Sequence, residues 1–409
     1  MDFSLSPLAE EYSKRLDGFM QDHVYPAEPV YATERAERGP HAVPPVVERL
    51  KAEARRQRLW NLFLTAESGL SVLDYAHLAE ITGRSVELAP EALNCSAPDT
   101  GNMETLHLFG TDSQKARWLE PLLDGRIRSA FAMTEPAVAS SDATNIRTSI
   151  TEEPEGWVID GHKWWISGAM DPRLAVLIVM GVTDSDAPPH SRQSLVLIPA
   201  DTPGVEIIRP LPVFGYQDRE GHCEVKFEGV RVPKENLLGE RGAGFAMAQA
   251  RLGPGRIHHC MRAIGMAQRA LELMCSRAES RFAFGKSLSE QATVRAEIAE
   301  SEMAILQAKL LTLYAAWLID TVGARQARTE IAAIKVIAPR VACTVIDRAI
   351  QVHGAAGVSD VTPLAAMYAH ARTLRIADGP DAVHIATVAR QVLKRSASTS
   401  GEPRRGSGW

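Results

Sequence analysis

Cysteine is scarce: five residues, Cys95, Cys223, Cys260, Cys275 and Cys343, an odd set scattered along 409 positions. None forms the CxxC pairs of a zinc ribbon or a redox dithiol, so buried reduced thiols are expected. Charge of one sign is never concentrated. The 45 Lys and Arg against 50 Asp and Glu give a net charge of −5, and no like-charged block could track a phosphate backbone, which argues against a nucleic-acid partner. Long apolar runs are missing too. The longest, at 174–182, falls far short of the ~20 residues that span a bilayer, so no transmembrane segment is expected. The opening MDFSLSPLAEEYSKR lacks the basic and apolar parts of a secretory signal, and a cytoplasmic location is the expectation.

Several active-site signatures are also absent or broken. There is no GxSxG for a nucleophile elbow. Gly285-Lys286-Ser287 resembles the end of a P-loop, but Ser280 stands where the leading glycine belongs. His222-Cys223-Glu224 copies the HxE of zinc deaminases without a following PCxxC. His258 and His259 are neighbours on a helical pattern and point to different faces, which disfavours joint metal ligation. Hydrolase and metalloenzyme readings are left without support, and no metal site is expected.

What the chain does have is the composition of a globular protein, 45% hydrophobic and 23% charged, with length for two or three domains. Residues 1–128 carry helical signals. Ser6-Pro7 fits an N-cap followed by proline, and Leu8, Tyr12, Leu16 and Phe19 recur on one face; 46–64 and 71–82 look similar. From 129 to 240 the pattern turns to strands. Trp157-Val158-Ile159, Asp160-Gly161 and 163–166 read as a hairpin with a DG turn; 174–180 and 195–198 read as buried strands; Cys223, Val225 and Phe227 alternate with charged residues. Residues 241–396 return to long helices near 244–280, 287–321, 325–356 and 382–395, the texture of a helical bundle. Residues 397–409 read as a disordered tail.

Four segments resist explanation by packing: Phe131-Ala-Met-Thr134-Glu135-Pro136 leading to Ser141-Asp142; Gly161-His-Lys-Trp164-Trp165-Ile166-Ser167-Gly168; Arg281-Phe-Ala-Phe284-Gly285-Lys286 with Gln291; and Gln351-Val-His-Gly354 followed by Arg375-Ile-Ala-Asp378-Gly379-Pro380-Asp381. In this order and spacing they resemble the acyl-CoA dehydrogenase family up to about residue 395. The runs APDTGNMETLHLFG, MTEPAVASSDATNIRT, LGPGRIHHCMR and ADGPDAVH are similar to the branch that holds the dehydrogenase domains of animal family members ten and eleven and their bacterial relatives.

The resemblance implies a mainly α fold with a β insert: an N-terminal helical domain, a middle β-barrel domain and a C-terminal four-helix bundle. It implies FAD as cofactor and α,β-dehydrogenation of a fatty acyl-CoA, medium to long chain favoured, to the trans-2-enoyl-CoA. Electrons would pass to an electron-transferring flavoprotein, and the protein would be a homodimer or homotetramer. Asp378 stands where most relatives carry Glu as the α-proton base, and Gly255 fills the slot that a few relatives use instead. The alternative for Asp378 is a cap on the helix that begins near Pro380. Arg256 matches an arginine near the base, or makes an ordinary surface ion pair. Gly379 and Ser141 are implied in substrate binding, with Ser140 able to replace Ser141 because one extra residue separates Pro136 from Asp142. Phe131, Met133, Thr134, Trp165 and Ser167 are implied along the flavin, although a tryptophan there equally suits a core. Arg281, Phe284 and Gln291 of one subunit, with Gln351 and Gly354 of a neighbour, would hold the ADP half. Pro380, where relatives often have Thr, and Asp381 complete the cofactor set. A rival reaction in the same branch is processing of 4-phosphorylated acyl-CoA with phosphate elimination, which begins with the same α-deprotonation. A flavin-free binding homologue is the remaining alternative.

Overall fold

The computed structural model describes residues 2–399, in two compact units that divide in sequence between Gly255 and Arg256. In the first unit, helices α1 (Pro7–Phe19), α2 (Tyr25–Arg38), α3 (Pro45–Arg56), α4 (Val72–Gly83) and α5 (Asp99–Phe109) precede the sheet. The Ser6 hydroxyl caps α1 by accepting from the Ala9 amide at 3.2 Å, as its SP sequence predicts. Leu16 and Phe19 are buried as expected, but Ala9 takes the inner position while Leu8 is 39% exposed. Ser71 and Asp74 close a capping box at the start of α4. The helical reading of 46–64 holds only to Arg56. Arg58 and Asn61 adopt positive φ, and Leu59 and Leu62 enter the core from a loop, with Asn61 Nδ2 donating to the Leu123 carbonyl.

Eight strands follow: β1 (Arg128–Ala132), β2 (Ser149–Glu153), β3 (Gly156–Ser167), β4 (Leu174–Val182), β5 (Gln193–Pro199), β6 (Val205–Pro210), β7 (His222–Val232) and β8 (Leu237–Leu238). The order is β6-β7-β3-β2-β4-β5-β8, with β1 parallel to β4. Their inward residues, among them Ile150, Ile159, Leu177, Val196, Cys223, Val225 and Phe227, share one core. The expected DG hairpin is absent. Asp160 and Gly161 run straight through the twelve-residue β3, and the turn lies earlier, between β2 and β3. Gly161 is there for clearance: a Cβ would lie 2.3 Å from Thr148 Oγ1, and the β3–β7 register shifts across Ile159 and Gly161.

A long helix, α6 (Gly244–Ser280), contains the sequence boundary of the two units. The second unit continues through a two-strand hairpin, Phe282–Ala283 with Lys286–Ser287, into α7 (Ala292–Val322), α8 (Arg328–His353), α9 (Leu364–Thr373) and α10 (Asp381–Thr399). Helix α8 is central and packs on α7, α9 and α10. Helix α9 was not expected, and α7 starts five residues later than its apolar pattern suggested because 286–291 form the hairpin arm and a Ser287–Glu290 capping turn. Helix α7 is long and apolar enough to cross a membrane by length and composition, although charged residues interrupt its apolar runs; its Ile305, Ala308, Thr312 and Ala316 are buried. Residues 397–399, expected in the tail, continue α10, and the rest of that tail lies outside the described residues.

Candidate active site

In the first unit the loop after β1 carries Met133, Thr134 and Glu135, and a buried lysine fixes it. Lys163, from the middle of β3, has no exposed surface and donates to the Met133 carbonyl at 2.9 Å, to Glu135 Oε1 at 3.0 Å and to the Met180 carbonyl at 2.7 Å. Glu135 also accepts from the Arg147 and Thr148 amides and the Thr148 hydroxyl. Burial pushes Lys163 down to about 8, still protonated at neutral pH. Glu135 stays below the ordinary carboxyl range because Lys163 and Thr148 outweigh its own burial. Thr134 and Trp164 bond reciprocally, hydroxyl to carbonyl and amide to carbonyl. The next residue, Trp165, has φ 56° at a bulge of β3 and leaves 42% of its surface exposed. Positive φ in so bulky a residue is costly, and such strain concentrates at functional sites.

Two residues further along β3, Ser167 Oγ lies 2.8 Å from Nδ1 of His222 on the neighbouring strand β7, and His222 Nε2 lies 2.7 Å from Asp218 Oδ2. Ser140 turns its hydroxyl back to accept from the Glu135 amide at 2.8 Å, whereas Ser141 is exposed. Phe131 lies under the Arg251 guanidinium, 4.5 Å from ring centroid to carbon, and a Cβ at Gly101 would strike that arginine at 2.6 Å. Burial pushes nearby Glu104 up to about 8, with Arg251 offsetting only part of the effect.

In the second unit, Asp378 has φ 55° and Gly379 has φ 99° in the turn before α10. The Asp378 carbonyl accepts from Arg256 Nη2 at 3.1 Å and lies 3.1 Å from His384 Nε2. Its carboxylate lies 3.6 Å from His259 Nε2. Because α10 begins at Asp381, Asp378 stands too far upstream to be its N-cap. Beneath the turn, buried Lys335 donates to the carbonyls of Leu374 and of Ala377, the latter at 2.8 Å. Burial pushes both His259 and His384 down to about 4, so both are neutral at pH 7. Asp381 faces Arg340 and Arg375, which hold its carboxyl below the ordinary range against its burial.

The other expected residues occupy separate elements of this unit. Phe284, 98% exposed, tips the hairpin with Gly285; Arg281 precedes that hairpin, and Gln291 begins α7. Gln351 and Gly354 sit at the C-terminal end of α8. The structure thus assembles Arg256, Asp378, Gly379 and Pro380 in one turn region, and the Met133–Glu135 loop with Trp164 and Ser140 in another. Sequence reasoning missed Lys163, His222, Asp218, His259, Lys335 and His384 as parts of these clusters. Only Lys163 carried a signal, a lysine set directly before the apolar Trp164-Trp165-Ile166 of a strand.

Residues 130–230 match the middle domain of acyl-CoA dehydrogenases and residues 242–393 their C-terminal domain. The chain is 61% identical over 401 residues to FadE2 of Mycobacterium tuberculosis, named a probable acyl-CoA dehydrogenase, covering 98% of each chain. It is 53% identical over 402 residues to rat acyl-CoA dehydrogenase family member 11, covering 97% of this chain and 52% of that one, so it spans about half of that animal relative. A solved chain from Mycobacterium abscessus superposes with a TM-score of 0.93 at 47% identity, over 96% of this chain and all of the other. Butyryl-CoA dehydrogenase of Megasphaera elsdenii gives 0.80 at 26%, again over 96% and all. The chain belongs to the acyl-CoA dehydrogenase family, in the branch of FadE2 and animal members 10 and 11. Its enzyme class is accordingly an oxidoreductase of the CH–CH bond of acyl-CoA thioesters.

Proposed function

We propose that the chain is an FAD-dependent dehydrogenase of medium- to long-chain acyl-CoA, forming the trans-2-enoyl-CoA with Asp378 as the α-proton base. The observation that carries this reading is the setting of Asp378. Its carbonyl is pinned by Arg256 and His384 while its carboxylate lies 3.6 Å from a neutral histidine, His259. A carboxylate on a backbone held this way can be kept at a fixed distance from an α-carbon, as general-base catalysis needs. In this reading the amide of the same residue would donate to the thioester carbonyl, whose oxygen gains charge as the proton leaves.

The residues fit a flavin. Exposed Trp165 offers an aromatic edge beside a loop that Lys163 and Glu135 hold rigid, and exposed Phe284 offers apolar contact at a hairpin tip. By the family resemblance, Met133, Thr134, Trp165 and Ser167, with Phe131, would hold the ring system and Pro380 and Asp381 would also serve the cofactor; Arg281, Phe284 and Gln291, with Gln351 and Gly354 of a second subunit, would hold the ADP half. When bound, FAD supplies the acceptor for the β-hydrogen and its electron pair. Ser141 rather than Ser140 is the better candidate for a ligand contact, since the Ser140 hydroxyl is engaged with Glu135.

A homo-oligomer is part of this reading. Met303, Leu306 and Leu310 leave about half of their surfaces exposed along one stripe of α7. So is the division into helical, β and bundle domains at 128/129 and 240/241, with the strands of the eight-stranded sheet running from Arg128 to Leu238. Five unpaired cysteines, four of them buried, suit a reducing cytoplasm. The test is anaerobic titration of the purified flavoprotein with acyl-CoAs of graded length, then reoxidation by electron-transferring flavoprotein, with phosphate release from a 4-phosphoacyl-CoA followed in parallel. Flavin bleaching by a simple acyl-CoA is expected. Phosphate release with no bleaching by any simple acyl-CoA would assign the chain to phosphate elimination instead.

A further inference from the structure

The contact of Ser167 with His222 and Asp218 has the outline of a nucleophile triad, at 2.8 and 2.7 Å. Hydrolysis does not follow from it. An acyl-transfer site needs amide donors for an oxyanion beside the nucleophile, and here the Gly168 amide is spent on the Gly221 carbonyl at 3.0 Å and the Met170 amide on the Glu220 carbonyl at 3.0 Å. What remains is a relay that ends on a hydroxyl next to exposed Trp165, whose ring centroid lies 6.1 Å from that of His222.

We propose that His222, oriented by Asp218, is a positioning residue that sets whether the Ser167 hydroxyl donates or accepts a hydrogen bond at the flavin ring. This rests on the reading above, in which Trp165 and Ser167 lie along the isoalloxazine. Asp218 accepts from His222 Nε2–H, which leaves Nδ1 to face Ser167. With Nδ1 bare, it takes the Ser167 proton, and the hydroxyl shows only lone pairs to its other neighbour. With Nδ1 protonated, His222 donates to Oγ, and the Ser167 proton turns outward as a donor. One proton on an imidazole therefore reverses the polarity of the hydroxyl. Such a reversible contact suits a ring system that must be held both oxidised and reduced, because ring nitrogens that accept in the first state carry hydrogen in the second.

The charges around His222 favour the protonated form. Asp218 and Glu220 lie in the loop before β7 and raise the imidazole above its ordinary value although burial opposes them. Arg219 of the same loop is turned to Asp171 and Glu91, while Glu87 lies close enough to Asp218 to sense its charge. From β3 come the Ser167 hydroxyl and the Trp165 ring.

The experiment measures the reduction potential and visible spectrum of the FAD-loaded protein between pH 5.5 and 8.5, for wild type, Ser167→Ala, His222→Gln, Asp218→Asn and the Ser167→Ala/His222→Gln pair. While His222 is protonated, loss of the hydrogen bond that the Ser167 hydroxyl donates to an accepting ring should lower the affinity for oxidised relative to reduced FAD about tenfold, raising the potential by ~30 mV for a two-electron couple. We expect that shift in Ser167→Ala and in His222→Gln and no further shift in their pair, since the two act as one unit. Wild type should show a pH inflection above the ordinary imidazole value. It should disappear in His222→Gln and move to lower pH in Asp218→Asn, which also serves if His222→Gln fails to fold. Wild-type potential and pH profile in the folded variants, or additive shifts in the pair, would overturn the proposal alone. A wild-type chain that takes up no FAD would overturn the flavin reading and this proposal with it.

Discussion

Arg256 Nη2 donates to the carbonyl oxygen of Asp378 at 3.1 Å, so the arginine grips the backbone of the turn. Burial lowers the pKa of this arginine, and the nearby Asp378 charge offsets part of that cost. The contact therefore positions the carboxylate through its main chain. Arg256→Lys keeps the charge but loses the planar fork that reaches the carbonyl. We expect kcat to fall on the order of a hundredfold, as for a displacement of ~1 Å, with FAD binding unchanged. Steady-state kinetics beside a flavin titration checks both.

Asp378→Asn removes the basic oxygen and keeps the shape of the side chain. Turnover should drop by several orders of magnitude while FAD uptake stays normal. A variant with more than about a tenth of wild-type activity, a barrier change under ~1.4 kcal/mol, would show that another group takes the proton.

Asp378→Glu tests the shorter acid. The turn holds this residue at φ 55°, a region where Asp is tolerated better than longer side chains, and the added methylene would drive the carboxylate past the reacting carbon. A loss of about a hundredfold in kcat with little change in KM or in preferred chain length is expected. Full activity would mean that the turn adapts to either acid.

Lys163→Met leaves Glu135 buried and without its cation. Breaking a buried pair from one side costs about 3–5 kcal/mol, and here it also frees the carbonyl of Met133. Chemical denaturation should show the loss in stability. FAD affinity should fall with it, because the loop that carries Thr134 is no longer anchored; the double variant Lys163→Met/Glu135→Gln should recover part of the stability.

Acidification should destabilise the fold through His259 and His384. Both have pKa values near 4 in the folded chain against ~6.5 unfolded, so from pH 6.5 downward the unfolded state binds the extra protons. Their contribution is intact above pH 6.5 and lost as the pH falls toward 4, on the order of 2 kcal/mol each by pH 5. Melting temperatures measured from pH 7 to 5 should decline, and less steeply in His384→Gln.

Local codes were legible in the sequence because their causes are local. The Ser6-Pro7 start of α1, the Ser71 box of α4 and the alternation of Cys223, Val225 and Phe227 each depend on neighbours within a few residues. The order of motifs along the chain was enough to recognise the family and to single out Asp378. Tertiary structure decided what depends on close approach between distant segments. Asp160-Gly161 has turn chemistry, yet the Thr148 side chain needs the space a Cβ would fill, and the strand runs on. His258-His259 resembled a failed metal motif, and only the packing of α6 against the turn before α10 brings His259 to Asp378. Lys163 and Glu135 are charged residues in apolar surroundings, a combination that composition disfavours. Mutual charge and a full set of hydrogen bonds, assembled from four separate segments, make it stable.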